Sequence, residues 1–335
     1  MKHGKKIALW TLLGVTLLGL VLAGTGMALG VSPYLDFGPE GIQVAGSRTA
    51  VEGELEIGPF TDLTLTANTA DIELIPSDHY AVAYRVEEEA AIPSAQHQGE
   101  RLILSQQGRS GFRINLGFFP SGQDPYIRVY YDASRPLGTV DLSLACGDAT
   151  LTGVDAESLA ITSAQGNVVY KGRANALSFT LSCGDLTLAA QAEMLQMNVS
   201  LGDVQMKDCS LDSLTGTLAC GSLTANGTIG QSHLTLNLGD FTFTGGEIGN
   251  VTYQGDCGSC VVEGKLTGNN SFALDMGDLT IRSSLPRDQY HLDLSCDMGE
   301  ARVNGGADQG GQDAQAPYGI QARVSAGDIE ANFLS

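Results

Sequence analysis

Between Leu142 and Val303 a Gly followed by a small polar or acidic residue returns at a nearly constant interval. The pairs are Gly147-Asp148, Gly166-Asn167, Gly184-Asp185, Gly202-Asp203, Gly221-Ser222, Gly239-Asp240, Gly258-Ser259 and Gly277-Asp278, in steps of 19, 18, 18, 19, 18, 19 and 19 residues. Gly299-Glu300 and Gly327-Asp328 follow after 22 and 28 residues, so insertions enter the last turns. A period of this length restricts the chain to a stacked array. Each unit is too small to bury its own apolar face and must share a core with its neighbours.

The residues flanking the Gly say what kind of array. Two positions after it stand Ala149, Val168, Leu186, Val204, Leu223, Phe241, Cys260 and Leu279, and four after it Leu151, Tyr170, Leu188, Met206, Ala225, Phe243, Val262 and Ile281. Three and five positions before it the residues are again mostly apolar, with Thr, Ser, Asn and Gln between. Alternation of period two is strand rather than helix. Each unit therefore reads as strand, Gly-polar bend, strand and turn. The Gly supplies a backbone conformation that a Cβ would penalise, and the Asp or Asn bonds nearby backbone donors. The expected fold is all-β, a β-solenoid of 18–19-residue repeats.

The chain is organised around this array. Residues 1–6 are basic, and 7–30 carry no charge over 24 residues. That is long enough to cross a hydrocarbon layer of ~30 Å as one transmembrane helix. The flanking Lys2, Lys5 and Lys6 place the N-terminus inside and the remainder outside the cytoplasmic membrane. A cleaved signal peptide is the rival, kept open by Ala23-Gly24-Thr25-Gly26. Residues 31–50, with Pro33 and Pro39, read as a linker, and 51–335 as the extracytoplasmic solenoid. Within it, Ala70-Asp71-Ile72-Glu73-Leu74 repeats the bend with Ala for Gly and forms a first rung. Residues 76–139 break the period and read as an irregular antiparallel N-terminal cap, 140–304 as regular repeats, 305–319 as a flexible loop and 320–335 as the last rung. An open solenoid end exposes unpaired strand edges, which is why a cap is expected. The alternative for the irregular region is a binding face with Phe112, Phe118 and Phe119 as exposed anchors.

Composition narrows the partners. The net charge is −20, and beyond the first six residues 15 basic residues face 38 acidic ones. Such a surface repels phosphate backbones, so nucleic acid is excluded as a partner. Cys146, Cys183, Cys220 and Cys257 each precede their Gly and stand 37 residues apart. Strand alternation assigns this slot to the interior, a ladder of buried thiols acting as apolar filler. If one coil is one unit the thiols lie two rungs, ~9–10 Å, apart and form no disulfide. If a coil is the double unit they stack in contact. Cys257-Gly-Ser-Cys260 has CxxC spacing but no second pair, so no zinc site is assigned.

No catalytic chemistry is legible. His3, His79, His97, His233 and His291 have neither metal nor triad spacing, and no Gly-rich segment opens a helix. No catalytic, cofactor-binding or metal-ligating residue and no cofactor is assigned. The strongest candidate is the acidic bend column Asp148, Asp185, Asp203, Asp240, Asp278, Glu300 and Asp328. A cation staircase wants carboxylates on adjacent rungs. Asn167, Ser222 and Ser259 interrupt the column, and interleaved neutral residues relieve a repulsion of about 1 kcal/mol per stacked pair without metal. The column therefore reads as structural turns.

In these features the chain resembles the bacterial "putative adhesin" β-strand-repeat family, domain of unknown function 4097. The resemblance covers about residues 54–335. It rests on Ala70-Asp-Ile-Glu-Leu74, Phe112-Arg-Ile-Asn-Leu-Gly117, Tyr126-Ile-Arg-Val-Tyr-Tyr131 and the Gly-Asp run ending in Ser325-Ala-Gly-Asp-Ile-Glu330. Tyr131-Asp132 stands where the family usually has Leu-Pro. The resemblance implies a β-helix-like extracytoplasmic domain and no catalytic residues.

The expected function is that of a non-enzymatic, membrane-anchored protein. It would serve adhesin-like surface interaction or envelope scaffolding, with a cell-envelope glycan or protein as partner and the membrane engaged through the N-terminal helix. Two alternatives are an accessory or sensor component of an envelope-stress system and a polysaccharide-active β-helix enzyme. Against the enzyme, cations are sparse along the repeats (Lys171, Arg173, Lys207, Lys265, Arg282). If the bend column is structural, the melting temperature is the same in millimolar calcium as in chelator; a clear rise with calcium identifies a cation site.

Overall fold

The structure, a computed structural model, describes residues 34–38, 41–45, 50–86, 91–107, 112–115, 124–307 and 315–334, with only the backbone described at 34–38, 41–45, 112–115 and 307. The predicted membrane segment 7–30, the anchors Phe118 and Phe119 and residues 308–314 lie outside them. Among the described residues no helix is long and apolar enough to cross a membrane. The described residues are all-β, and 24 of their strands join in one continuous wound sheet.

Parallel pairing settles the coil. Val204 pairs with Leu186 on one side and Leu223 on the other, so neighbouring rungs are one 18–19-residue unit apart and the 37-residue coil is excluded. Each coil has three inward-facing stretches. In the strand Val204–Cys220 these are Val204 and Met206, then Cys209 and Leu211, then Leu214, Gly216 and Leu218. Outward runs at Lys207-Asp208, Asp212-Ser213 and Ala219-Cys220 mark three corners. The difference between 18- and 19-residue units is absorbed there as register shifts, such as Leu188/Gln191 and Met206/Cys209. The bend and the flat faces consequently stay in register along the rod. Stacked Leu, Val, Ile, Phe and Tyr side chains fill a single core from Phe60 to Phe333. Removing ~25 cal/mol of unfavourable hydration per Å² makes that core the main stabilising term.

Both ends depart from sequence order. At the N-terminal end the rung Asp62–Ala67/Asp71–Ser77 lies between Leu137–Leu144/Ala149–Thr152 and an outer rung made of Arg101–Gln106 and Tyr126–Asp132. Antiparallel strands then close this end: Ala81–Val86 on Tyr126–Asp132, Val51–Glu56 on Ala81–Val86, and Ser94–Gln98 on Arg101–Gln106. The irregular region is thus part antiparallel cap and part parallel rung, and Leu137–Leu144 already belongs to the regular stack. At the other end Tyr318–Ala326/Ile329–Leu334 inserts between Asn269–Met276/Leu279–Pro286 and Tyr290–Met298/Ala301–Val303. The last rung in sequence is therefore penultimate in space. Tyr290 holds the crossing: its hydroxyl lies 2.6 Å from both the Ser283 Oγ and the Leu266 carbonyl. Buried Asn270 donates to the Gly319 carbonyl of the inserted rung and accepts the Val251 N–H.

Two expectations are corrected. Residues 31–50 are not a plain linker, because Tyr34–Gly38 and Gly41–Ala45 pair as a hairpin and join Phe112–Asn115 in a separate three-stranded sheet. Period-two alternation in Tyr-Leu-Asp-Phe-Gly and Gly-Ile-Gln-Val-Ala carried that signal. Nor is the thiol ladder buried. Cys146, Cys183 and Cys220 are exposed and Cys257 is half-buried. Alternation fails at this slot because the corner puts two consecutive residues outward, as at Ala219 and Cys220.

The Gly is required at the bend by the rung beneath it. Gly202 has φ +146°, and a Cβ there would lie 2.0 Å from the Gly184 carbonyl oxygen; the same contact recurs at Gly221 against Gly202, at 1.9 Å. Gly202→Ala is expected to lower the unfolding free energy by at least ~3 kcal/mol through strain plus a backbone clash. Gly99→Ala, at φ +65° with nothing within 4 Å, costs only about 1 kcal/mol. Urea denaturation of the two variants measures the difference.

Candidate functional site

The bend column forms one structure along the rod. The Asn167 N–H donates to Asp148 Oδ1 at 2.7 Å, Asp185 to Asn167 at 2.9 Å, Asp203 to Asp185 at 2.8 Å, and Ser222 to Asp203 at 2.8 Å. Asp240 donates to Ser222 Oγ at 3.3 Å and Ser259 to Asp240 at 2.8 Å. From Asp148 to Asp240 each side chain accepts the N–H of the next rung, which is why an oxygen is needed and why Asn and Ser replace Asp. The carboxylates are exposed but used. Among the described residues no group of three or more His, Cys, Asp or Glu is placed to hold a metal ion.

The threaded ends create carboxylate neighbours that sequence order conceals. Asp328 donates its N–H to Asp278 and Glu300 donates to Asp328, each at 2.9 Å, so three acidic residues occupy successive rungs. Arg302 offsets part of that charge by pairing with Glu300 at 2.5 Å. At the other end the Asp148 N–H donates to Asp71 Oδ1 at 2.8 Å. There Gln106, on the outer rung, takes over the column's role by accepting the Asn68 and Thr69 N–H groups.

A concavity of about 420 Å³ lies where the coils turn after the bend face and is lined by Pro136, Asp155, Glu157, Arg173, Gln191 and Glu193. It brings one of the sparse cations beside three acids, but Asp155 Oδ1 is engaged by the Arg173 backbone N–H at 3.0 Å. Lys265 is paired with Glu247 of the neighbouring coil at 2.9 Å, and Arg282 is paired with Glu263. These two cations therefore link neighbouring rungs. Cys260 faces the core and is fully buried, its thiol pushed up by burial, whereas Cys257 faces outward, so the CxxC cysteines lie on opposite sides of the wall. His79 contacts Ser77 and Asp78, His97 and His233 are exposed, and His291 is half-buried, each on a separate part of the rod. Phe112 lies on the strand that joins the small sheet.

The two broad faces carry the most regular outward chemistry. Ser143, Thr162, Thr180, Asn198, Thr217 and Thr235 stand on successive paired rungs of one face. Thr150, Val169, Thr187, Gln205, Thr224 and Thr242 do so on the other. Over these rungs both columns are neutral. They were legible as the residues between apolar positions; their alignment into columns is a property of the register.

Partial burial raises the Asp71 carboxyl above its ordinary value of 3.8, opposed by the Asp148 N–H it accepts and reinforced by the Asp148 charge. The folded state then holds this proton more tightly than the unfolded chain, so its contribution is complete below 3.8 and lost as pH rises through the folded value. Asp71→Asn keeps the acceptor and removes the charge. It is expected to melt higher than the wild type at pH 7, with the gain vanishing below pH 3.8 in melts across pH.

Solved structures similar to this chain include a "putative adhesin" from Bacteroides fragilis, 11% identical, covering 85% of this chain and 98% of that one with a TM-score of 0.42. A "putative lipid binding protein" from Parabacteroides distasonis is 14% identical, covering 85% and 97% with a TM-score of 0.43. A "putative cell adhesion protein" from Clostridium sporogenes is 9% identical, covering 85% and 100% with a TM-score of 0.24. No curated protein matches. The family model described as Toastrack DUF4097 matches residues 60–333, nearly the whole of the wound sheet, and the chain belongs to that family.

Proposed function

We propose that this is a non-enzymatic β-repeat protein, held to the outside of the cytoplasmic membrane by residues 7–30, that makes adhesin-like or scaffolding contacts with a neutral polymer of the cell envelope. The observation that carries the reading is the pair of flat, uncharged hydroxyl and amide columns on a rigid rod. Rungs ~4.8 Å apart offer a repeating array of hydrogen-bond donors and acceptors. Acidic residues at the bend discourage anionic ligands, so an uncharged glycan is the chemistry that fits. The uncharged 24-residue segment behind a lysine cluster supports the anchor.

Binding of the full-length chain to isolated cell-wall glycan and to a glycan array tests the contact. Thr180→Arg with Thr217→Arg, both outward on adjacent parts of one face, is expected to reduce binding at least tenfold while leaving the melting temperature in place. No binding to any glycan, or binding indifferent to the pair, overturns it. Fractionation with protease treatment of intact cells tests the placement, and recovery in the cytosol overturns that.

A further inference from the structure

The C-terminal end of the rod is covered on one side of the bend and open on the other. The last coil in space consists of Tyr290–Met298 and Ala301–Val303. After the bend, Gly306–Ala307 folds back antiparallel over Arg302 and Val303. Before the bend, Tyr290–Met298 pairs with Tyr318–Ala326 along one edge, and among the described residues no strand pairs with its other edge. Nine residues of backbone donors and acceptors are left as a template for a further strand. The core is open there too. Leu294 and Cys296 are half-buried, whereas Ala322 and Val324, in the same inward slots one rung in, are 0% and 2% exposed. Outward stand His291, Asp293, Ser295 and Asp297.

We propose that this edge pairs with the same edge of a second copy, antiparallel about a two-fold axis through Leu294, so that two rods join end to end. The strand's own sequence selects both partner and register. Backbone donors and acceptors alternate along a strand with the same period of two as its side chains. An antiparallel pair thus forms its ladder, with inward side chains together, only where each residue faces one an even number of positions away. Of the registers that meet this condition, the one centred on Leu294 pairs all nine residues. Tyr290 faces Met298, Leu292 faces Cys296 and Leu294 faces its counterpart, so each copy covers the open core of the other. On the outside His291 faces Asp297 at both ends of the pair, and Asp293 faces Ser295. Moving the centre one residue back sets Asp293 against itself, and one residue forward sets Asp293 against Asp297 twice. Like charges directly opposite are destabilising in both cases. The remaining acids are offset within each copy. The Gln321 amide donates to Asp293 at 3.0 Å, Arg323 stands on the rung behind Ser295, and Glu300, past the corner, is paired with Arg302. Head-to-tail stacking is the poorer fit. It would bring Glu52, Glu54 and Glu56 against Asp293 and Asp297, or the exposed polar run Ser94–Gln98 against Leu292 and Leu294. The pairing follows from the end strand alone and does not rest on the glycan reading.

Sedimentation of the full-length chain in detergent, over a range of protein concentrations, measures the dimer. His291→Asp sets Asp against Asp at two places and is expected to weaken dimerisation roughly tenfold or more. Combining it with Asp297→His restores both His–Asp contacts in exchanged positions and is expected to recover the dimer. Both side chains point outward, so the melting temperature stays in place. A second variant reads the axis directly. Leu294→Cys, with Cys146, Cys183, Cys220, Cys257 and Cys296 changed to Ser, places two thiols on the two-fold axis. Directly opposite residues have Cα atoms about 4.5–5.5 Å apart, a span that a disulfide bridges. Oxidation is expected to give disulfide-linked dimer, and Ser295→Cys in the same background, opposite Asp293, at least fivefold less. A monomer at every concentration, a dimer indifferent to His291→Asp, or one that the double exchange does not restore overturns the proposal. So does the absence of linked dimer from Leu294→Cys, the result if residues 308–314 or a different protein occupy the edge.

Discussion

Stacking one coil on the next leaves no room for a side chain at the bend, and much of the structure follows from that contact. The Gly carbonyl of each rung points at the Cα of the Gly above, so close that a Cβ would overlap it. The same step brings the next residue's N–H over an Asp, Asn or Ser oxygen of the rung below. Gly and its polar successor are therefore coupled. One permits the close approach, and the other satisfies the donor that the approach leaves unpaired. An orphaned donor there would cost ~1–3 kcal/mol at every rung. The repeat in the sequence is the record of this requirement, with variation in unit length confined to corners where nothing so close occurs.

A rod built this way has two ends at which this mutual support is lost, since an end rung has a neighbour on one side only. The chain answers by threading. Residues 62–77 are enclosed by strands that come later, and 318–334 enter between two coils already laid down. Each terminal rung of the sequence is thereby gripped on both faces. The outermost coils are instead tied to the chain on either side. At the N-terminal end the exposed edge strands carry Glu52, Glu54 and Glu56 or the polar run Ser94–Gln98, compositions that discourage edge-to-edge pairing. Gln106 and Tyr290 supply the hydrogen bonds that the regular column cannot provide where the order of rungs changes.

Charge, apolar surface and hydroxyl groups are sorted by position around the coil. Asp, Asn and Ser recur at the bend, aliphatic and thiol side chains directly before it, and neutral, mostly hydroxyl and amide, groups on the flat faces between Ser143 and Thr242. Because register is preserved along the rod, each class becomes a continuous column. A single residue choice per unit is thus multiplied into a surface, and a weak contact into a long one.

Membership of the repeat, the strand character of the units and the inward set at the second and fourth positions after the Gly were determined by the sequence, because period-two alternation about a fixed Gly admits one reading. The structural role of the acidic column was likewise legible from its Asn and Ser interruptions. The direction of the cysteine slot was not, since alternation predicts one side chain in and one out, and a corner breaks that rule locally. The order of rungs at the two ends was beyond the sequence as well: all units carry the same motif, so any unit can stack on any other. Only the tertiary structure decided that Asp328 stands between Asp278 and Glu300, because linker reach and the crossing held by Tyr290, rather than the motif, select the neighbour.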